Sequence, residues 1–333
     1  MSFVRSPAVR SVTGVLAFAF FIGACASTLS PAVSPTEQPV VAPTDTTALA
    51  PTVAEPTPAI ALVDGLGRSV SLDGPAERIV SMAPSNTEIL FALGAGEALV
   101  GRDEFSDYPE AAVEIPSIGG GFGEYNTESI VALQPDLVLA GGINTPDQIQ
   151  SLQDLGLTVY MVANPLDFDG LYANLQAVGT LTGHQTEAED LVHQLRNRVG
   201  IVTDRLAGTS TVSVFFEVDG TDTTAPWSTG SGTFQDYLIR LAGGENVVAF
   251  EGWGQVNLED LIASDPEVIF YSAAPYIPTT VESIAARPGW GVITAVKNNA
   301  VFAVDTDLTD LPGPRLVDGF EAISRGIHPE AFE

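Results

Sequence analysis

The chain has 333 residues, 42 acidic against 13 basic side chains, and a formal charge of −29. A surface this acidic makes nucleic acid and anionic membrane surfaces poor partners. The one cysteine, Cys25, rules out an internal disulfide and a cysteine-based metal site.

Arg5 and Arg10 precede a short apolar run at residues 15–22, too short to span a bilayer as a stable helix. Ile22-Gly23-Ala24-Cys25 then reads as a bacterial lipobox. Residues 1–24 are therefore expected to be a lipoprotein signal peptide, with Cys25 the lipidated first residue of the mature chain. Residues 25–59 are rich in Pro, Thr and Ala and show neither helical nor strand period. They read as a disordered linker holding the folded part off the membrane.

A first α/β lobe is expected over residues 60–167. It begins with a turn at Asp64-Gly65-Leu66-Gly67-Arg68 and a strand over 79–83. A loop and helix follow from Pro84, then strands over 99–101, 137–140 and 157–162. Residues 168–207 change character. Leu171, Leu175, Val178 and Leu181 fall at helical spacing, and after Gly183 the series Ala188, Leu191, Leu195, Val199, Val202 and Leu206 continues it. The second of these helices, about 20 residues, would be about 30 Å long. A second lobe, 208–333, is expected to hold strands over 212–218, 268–271 and 300–304 and a helix over 233–241.

One stretch occurs twice. Residues 121–140 read GFGEYNTESIVALQPDLVLA, and residues 252–271 read GWGQVNLEDLIASDPEVIFY. The shared skeleton pairs Gly121 with Gly252, Phe122 with Trp253, Asn126 with Asn257, Glu128 with Glu259, and Pro135 with Pro266. Each Asn suits a helix N-cap, each Glu suits the first turn, and each Pro ends the helix before a buried strand. Two similar lobes facing each other would explain a repeat of this period. From these residues alone, Glu128 and Glu259 read as helix-end carboxylates, with a catalytic carboxylate pair, or an exported lipoprotein hydrolase using Glu128 or Glu259, as the alternative.

His184, His193 and His328 do not cluster, so no metal site is expected. The Gly119–Gly123 run lacks a P-loop ending, and three scattered histidines support no Ser/His/Asp triad. Phe105, Phe122, Trp227 and Trp253 lie in Gly-rich or polar stretches read as loops, where aromatics suit a large flat ligand. Tyr125 stands at a helix start, and Asp307 lies in an acidic loop before Pro312.

The stretches RIVSMAPSNTEILFAL (78–93), FSDYP (105–109), NTESIVALQPDLVLA (126–140), GGENV (243–247), 253–261 and PGPRLV (312–317) resemble the solute-binding proteins of bacterial ABC importers. The resembled family serves cobalamin, ferric siderophores and haem, and the likeness covers nearly all of residues 60–333. It implies two Rossmann-like α/β lobes joined by a single long rigid helix, with the ligand cleft between them. It implies a metal-chelate ligand and no catalysis, and the residues expected to contact that ligand from their own positions are Phe105, Phe122, Tyr125, Trp227, Trp253 and Asp307. Glu128 and Glu259 would dock on arginines of an ABC permease powered by a cytoplasmic ATPase. Leu311 stands where some cobalamin-binding relatives carry an Arg. The expected protein is a monomer on the outer face of the cytoplasmic membrane, held there only by its lipid. A ligand-sensing lipoprotein is a further alternative.

Overall fold

The computed structural model describes residues 60–120, 124–274 and 279–333. The expected signal peptide, Cys25, the expected linker and Phe122 lie outside the described residues.

A hairpin of β1 (Ile60–Val63) and β2 (Ser69–Leu72) leads into β3 (Ile79–Ser81), α1 (Pro84–Ala92) and β4 (Leu99–Arg102). The first copy of the repeat forms α2 (Thr127–Ala132) and β5 (Leu137–Ala140), followed by α3 (Pro146–Asp154) and β6 (Val159–Met161). Strands β4, β3, β5 and β6 make one all-parallel sheet in that order. Every residue of β5 is buried, as expected of a strand covered on both faces.

Two helices follow, α4 (Phe168–Thr182) and α5 (Gln185–Arg205). Gly183 separates them at a φ of 77°, a left-handed cap for which glycine is suited. The 21 residues of α5 give a rod of about 30 Å. It packs on α4 and on the C-terminal helix, to which Arg198 ties it through Asp318 and Glu321.

The second lobe contains β7 (Val212–Asp219), β8 (Trp227–Thr229), α6 (Phe234–Leu241), β9 (Gly244–Asn246) and β10 (Trp253–Gln255). Then come α7 (Leu258–Ser264), β11 (Val268–Ala273), α8 (Val281–Ala285), α9 (Thr294–Lys297), β12 (Val301–Asp305), α10 (Thr306–Thr309) and α11 (Leu316–Ile327). Strands β9, β7, β11 and β12 run parallel in that order. This reproduces the β4-β3-β5-β6 order of the first sheet. The C-terminal half of β7 carries an addition, the antiparallel strands β8 and β10.

The repeat is visible atom by atom. The Asn126 side chain accepts the Ser129 N–H, and that of Asn257 accepts the Asp260 N–H, each at 2.9 Å. Gln134 and Asp265 hold equivalent places, and both adopt positive φ, 49° and 43°. Helices α2 and α7 thus end two or three residues before their proline. The residue preceding each Pro is disfavoured in right-handed helix, and here it takes a left-handed backbone.

One continuous apolar core joins the lobes. It includes Ile79 and Leu137 from the first sheet, Leu175 and Leu195 from α4 and α5, and Val214, Phe270 and Phe320 from the second lobe. Phe168 makes edge contacts with Tyr237 and Phe320 at 5.6 and 5.7 Å. Separate clusters fill the outer face of each sheet. Packed interiors resist deformation, so this shared core stiffens the lobe junction beyond what α5 alone provides.

Candidate functional site

In open parallel sheets, ligands bind where the strands end at their carboxyl edge. A cavity of about 450 Å³ lies there. The first sheet supplies Ala83–Ser85 after β3, Phe105 and Asp107 after β4, Gly142 and Ile143 after β5, and Asn164 after β6. The second lobe closes it with Thr306, Asp307 and Asp310–Pro312, just beyond β12. Apolar walls with a few polar groups are the usual make-up of a small-molecule site.

Phe105 and Asp307 therefore meet in one cavity, although 202 residues of sequence separate them. Phe105 is about half exposed. Asp307 forms an ion pair with the Arg315 guanidinium at 3.6 Å. Desolvation raises its carboxyl above the ordinary range, Arg315 opposes this, and Asp305 and Asp107 push it up further. Asp310 reaches about 6, chiefly through desolvation. Its carboxylate accepts from Gln235 Nε2, Ser272 and Thr309 at 3.2–3.3 Å.

Tyr125 is engaged within its own lobe. Its hydroxyl donates to the Met82 carbonyl and accepts from Asn144 Nδ2, each at 2.8 Å, and its ring packs on the outer cluster of the first sheet. It is not among the residues lining this cavity.

Trp227 and Trp253 begin short strands rather than lying in loops. Three-residue strands, one with a central glycine, leave no periodic signature. Their register sets Trp253 opposite Thr229 and Gln255 opposite Trp227, so both indoles fall on one face of the β8–β10 pair. They remain 45% and 46% exposed, a poor arrangement for core residues. The Trp253 ring meets Phe234 edge-on at 6.1 Å. β8 follows the carboxyl end of β7, which places the pair on the same edge of the second sheet as Asp307.

Glu128 and Glu259 sit in the first turns of α2 and α7. Both are exposed, and neither forms an ion pair among the described residues. They occupy different lobes and line no described cavity, so a shared catalytic pair receives no support from the geometry. No group of three or more metal-ligating side chains is assembled among the described residues.

The sequence reading missed Glu88. It lies on α1, 3% exposed, and accepts the Arg315 backbone N–H and Nε–H, each at 2.9 Å. Arg315 also stacks over the Tyr108 ring, 3.8 Å from its centroid. This latch joins the two lobes beside the cavity. The only signal was an acidic residue directly before the apolar run Ile89–Ala92 of that helix.

The family model described as periplasmic binding protein matches residues 79–308. A Bacillus subtilis relative, the "Uncharacterized ABC transporter substrate-binding lipoprotein YvrC", is 29% identical over 281 residues, 82% of this chain and 87% of its own. The "Vitamin B12-binding protein" of Vibrio cholerae is 30% identical over 257 residues, 75% of this chain and 88% of its own. The solved "ABC-type Fe3+-hydroxamate transport system" protein from Saccharomonospora viridis superimposes with a TM-score of 0.67 at 27% identity, over 82% of this chain and 98% of that one. With its paired sheets and its cleft at their carboxyl edges, the chain belongs to the periplasmic binding protein family, whose members here are extracytoplasmic substrate-binding proteins of ABC transporters.

Proposed function

We propose that this protein captures a metal chelate, cobalamin or a ferric siderophore or haem, and delivers it to an ABC permease driven by a cytoplasmic ATPase. The observation that carries this reading is the cavity between the ends of four parallel strands and the segment 306–312 of the other lobe. Relatives of this family bind vitamin B12 and serve ferric hydroxamate transport. Phe105 and Asp307 would contact the ligand directly, with Trp227, Trp253 and Phe122 adding aromatic surface; Tyr125 would buttress the wall from within its lobe. Glu128 and Glu259, exposed at matched helix starts, would meet permease arginines in charge-assisted pairs.

The mature chain would begin at lipidated Cys25, with residues 25–59 as tether, lobes at 60–167 and 208–333, and connecting helices at 168–207. It would act as a monomer on the outer face of the cytoplasmic membrane, without catalysis. Tryptophan fluorescence of the purified protein, titrated with cyanocobalamin, haemin and ferric trihydroxamates, tests the reading. Saturable quenching by one of them supports it, and no saturation by any overturns it.

A further inference from the structure

The cleft's charge narrows the ligand. Asp107, Asp307 and Asp310 all face the cavity. The remaining wall is mostly apolar: Ala83, Pro84, Phe105, Ile143, Leu311 and Pro312. Among the described residues, no arginine, lysine or histidine lines it.

The few arginines and the lysine among the described residues lie or are engaged elsewhere. Arg68 pairs with Asp64, Arg196 with Asp169, Arg198 with Asp318 and Glu321, Arg240 with Asp236, and Arg287 with Glu217. Arg78 and Arg102 donate to backbone carbonyls, while Arg205 and Arg325 stack on Phe332. Lys297 ends α9, which leads into the amino end of β12, whereas α10 follows that strand's carboxyl end. Residues 121–123 and 275–278 contain no charged side chain. Arg315 alone reaches a cavity residue, Asp307, and its guanidinium is already committed to buried Glu88.

A negatively charged ligand in this cleft would thus find three carboxylates and no uncommitted cation. Like charges brought together with partial loss of water oppose binding strongly. Amide or ammonium N–H groups would instead find acceptors ready. Resting on the transport reading above, we infer that the cleft selects metal chelates by charge, admitting neutral or cationic ones rich in hydrogen-bond donors and rejecting polyanionic ones.

The test compares charge on a constant scaffold. One series is a linear ferric trihydroxamate with a free terminal amine, its N-acetyl form and its N-succinyl form, which are cationic, neutral and anionic. A second series is aquacobalamin, cyanocobalamin and a cyanocobalamin monocarboxylate, with the same three charges. Affinities are measured for the purified protein at low and high salt. On whichever scaffold binds, the anionic member should bind at least about tenfold more weakly than the neutral one at low ionic strength, with the gap shrinking in high salt. The doubly substituted Asp107→Asn, Asp307→Asn protein should flatten the series. Equal or tighter binding of the anionic member overturns the inference while leaving the transport reading intact. Binding of haemin, with its two carboxylates, by a protein that takes no member of either scaffold does the same, and binding of none of the three overturns both.

Discussion

The latch between Glu88 and Arg315 makes an asymmetric prediction. Glu88 is 3% exposed, and burial raises its carboxyl above the ordinary value even though Arg315 donates two hydrogen bonds to it. Desolvation therefore outweighs what Arg315 returns, as is common for buried ion pairs. Replacing Glu88 by Gln removes the buried charge, and Arg315 keeps Asp307 and the Tyr108 ring. That change should cost no more than about 1.5 kcal/mol, the scale of one hydrogen bond. Arg315→Met strands a carboxylate in the lobe junction and should cost about 3–5 kcal/mol. The double variant should lie close to Glu88→Gln, giving a coupling of about 2 kcal/mol or more between neighbours.

The pH dependence has a definite sign. A carboxyl raised in the folded state contributes stability that is fully present below its unfolded pKa and lost as pH rises through the folded one. Removing Arg315 raises Glu88 further, so the Arg315→Met loss should be small near pH 4 and grow toward neutrality. Urea denaturation at several pH values measures all four proteins. Equal, additive and pH-independent losses would refute the reasoning.

Three more outcomes follow from the geometry. Trp227→Ala and Trp253→Ala should each weaken chelate binding by about 1–3 kcal/mol if the exposed indoles are ligand anchors, read by titration; unchanged affinity with a large fall in melting temperature would make them structural. Asp310, raised to about 6, should add stability below its unfolded pKa that is lost as pH rises through about 6. Asp310→Asn should remove that slope, and an unaltered pH profile in calorimetry would count against it. Cys25→Ser should move the protein from the membrane fraction to the soluble one, since so acidic a surface has no other route to lipid; retention in the membrane fraction would contradict the anchor.

Much of the fold was legible because the repeat repeats its local physics. Asn126 and Asn257 announce their caps, Pro135 and Pro266 their helix ends, and the apolar run 137–140 is a strand with those same bounds. The connecting helices showed in the spacing from Leu171 to Leu206. What escaped depends on tertiary pairing. β9 is Gly-Glu-Asn, a poor strand by composition, and exists because β7 offers it an edge. The β8–β10 pair escaped for the same reason.

The site divides similarly. Phe105 and Asp307 could be singled out, but only the fold brings them to one cavity. Glu88 and Arg315 are 227 residues apart, and no spacing rule links them. Tyr125 reads as a ligand residue by position, and its hydroxyl is hydrogen-bonded to Met82 and Asn144 within the first lobe. The charge of the cleft was visible in composition only as a global excess; its placement needed the course of the chain beyond β4 and β12.

The central claim is delivery to a permease, and the paired glutamates test it most directly. Cells expressing the full-length protein are assayed for uptake of whichever labelled chelate binds, against cells expressing the Glu128→Gln, Glu259→Gln form, with affinity of both proteins measured in parallel. The account predicts unchanged chelate affinity with uptake reduced toward that of cells lacking the protein, more than by either single change. Normal uptake by the double variant would contradict the docking role of the glutamates, and uptake no higher with the unaltered protein than in cells lacking it would contradict delivery itself.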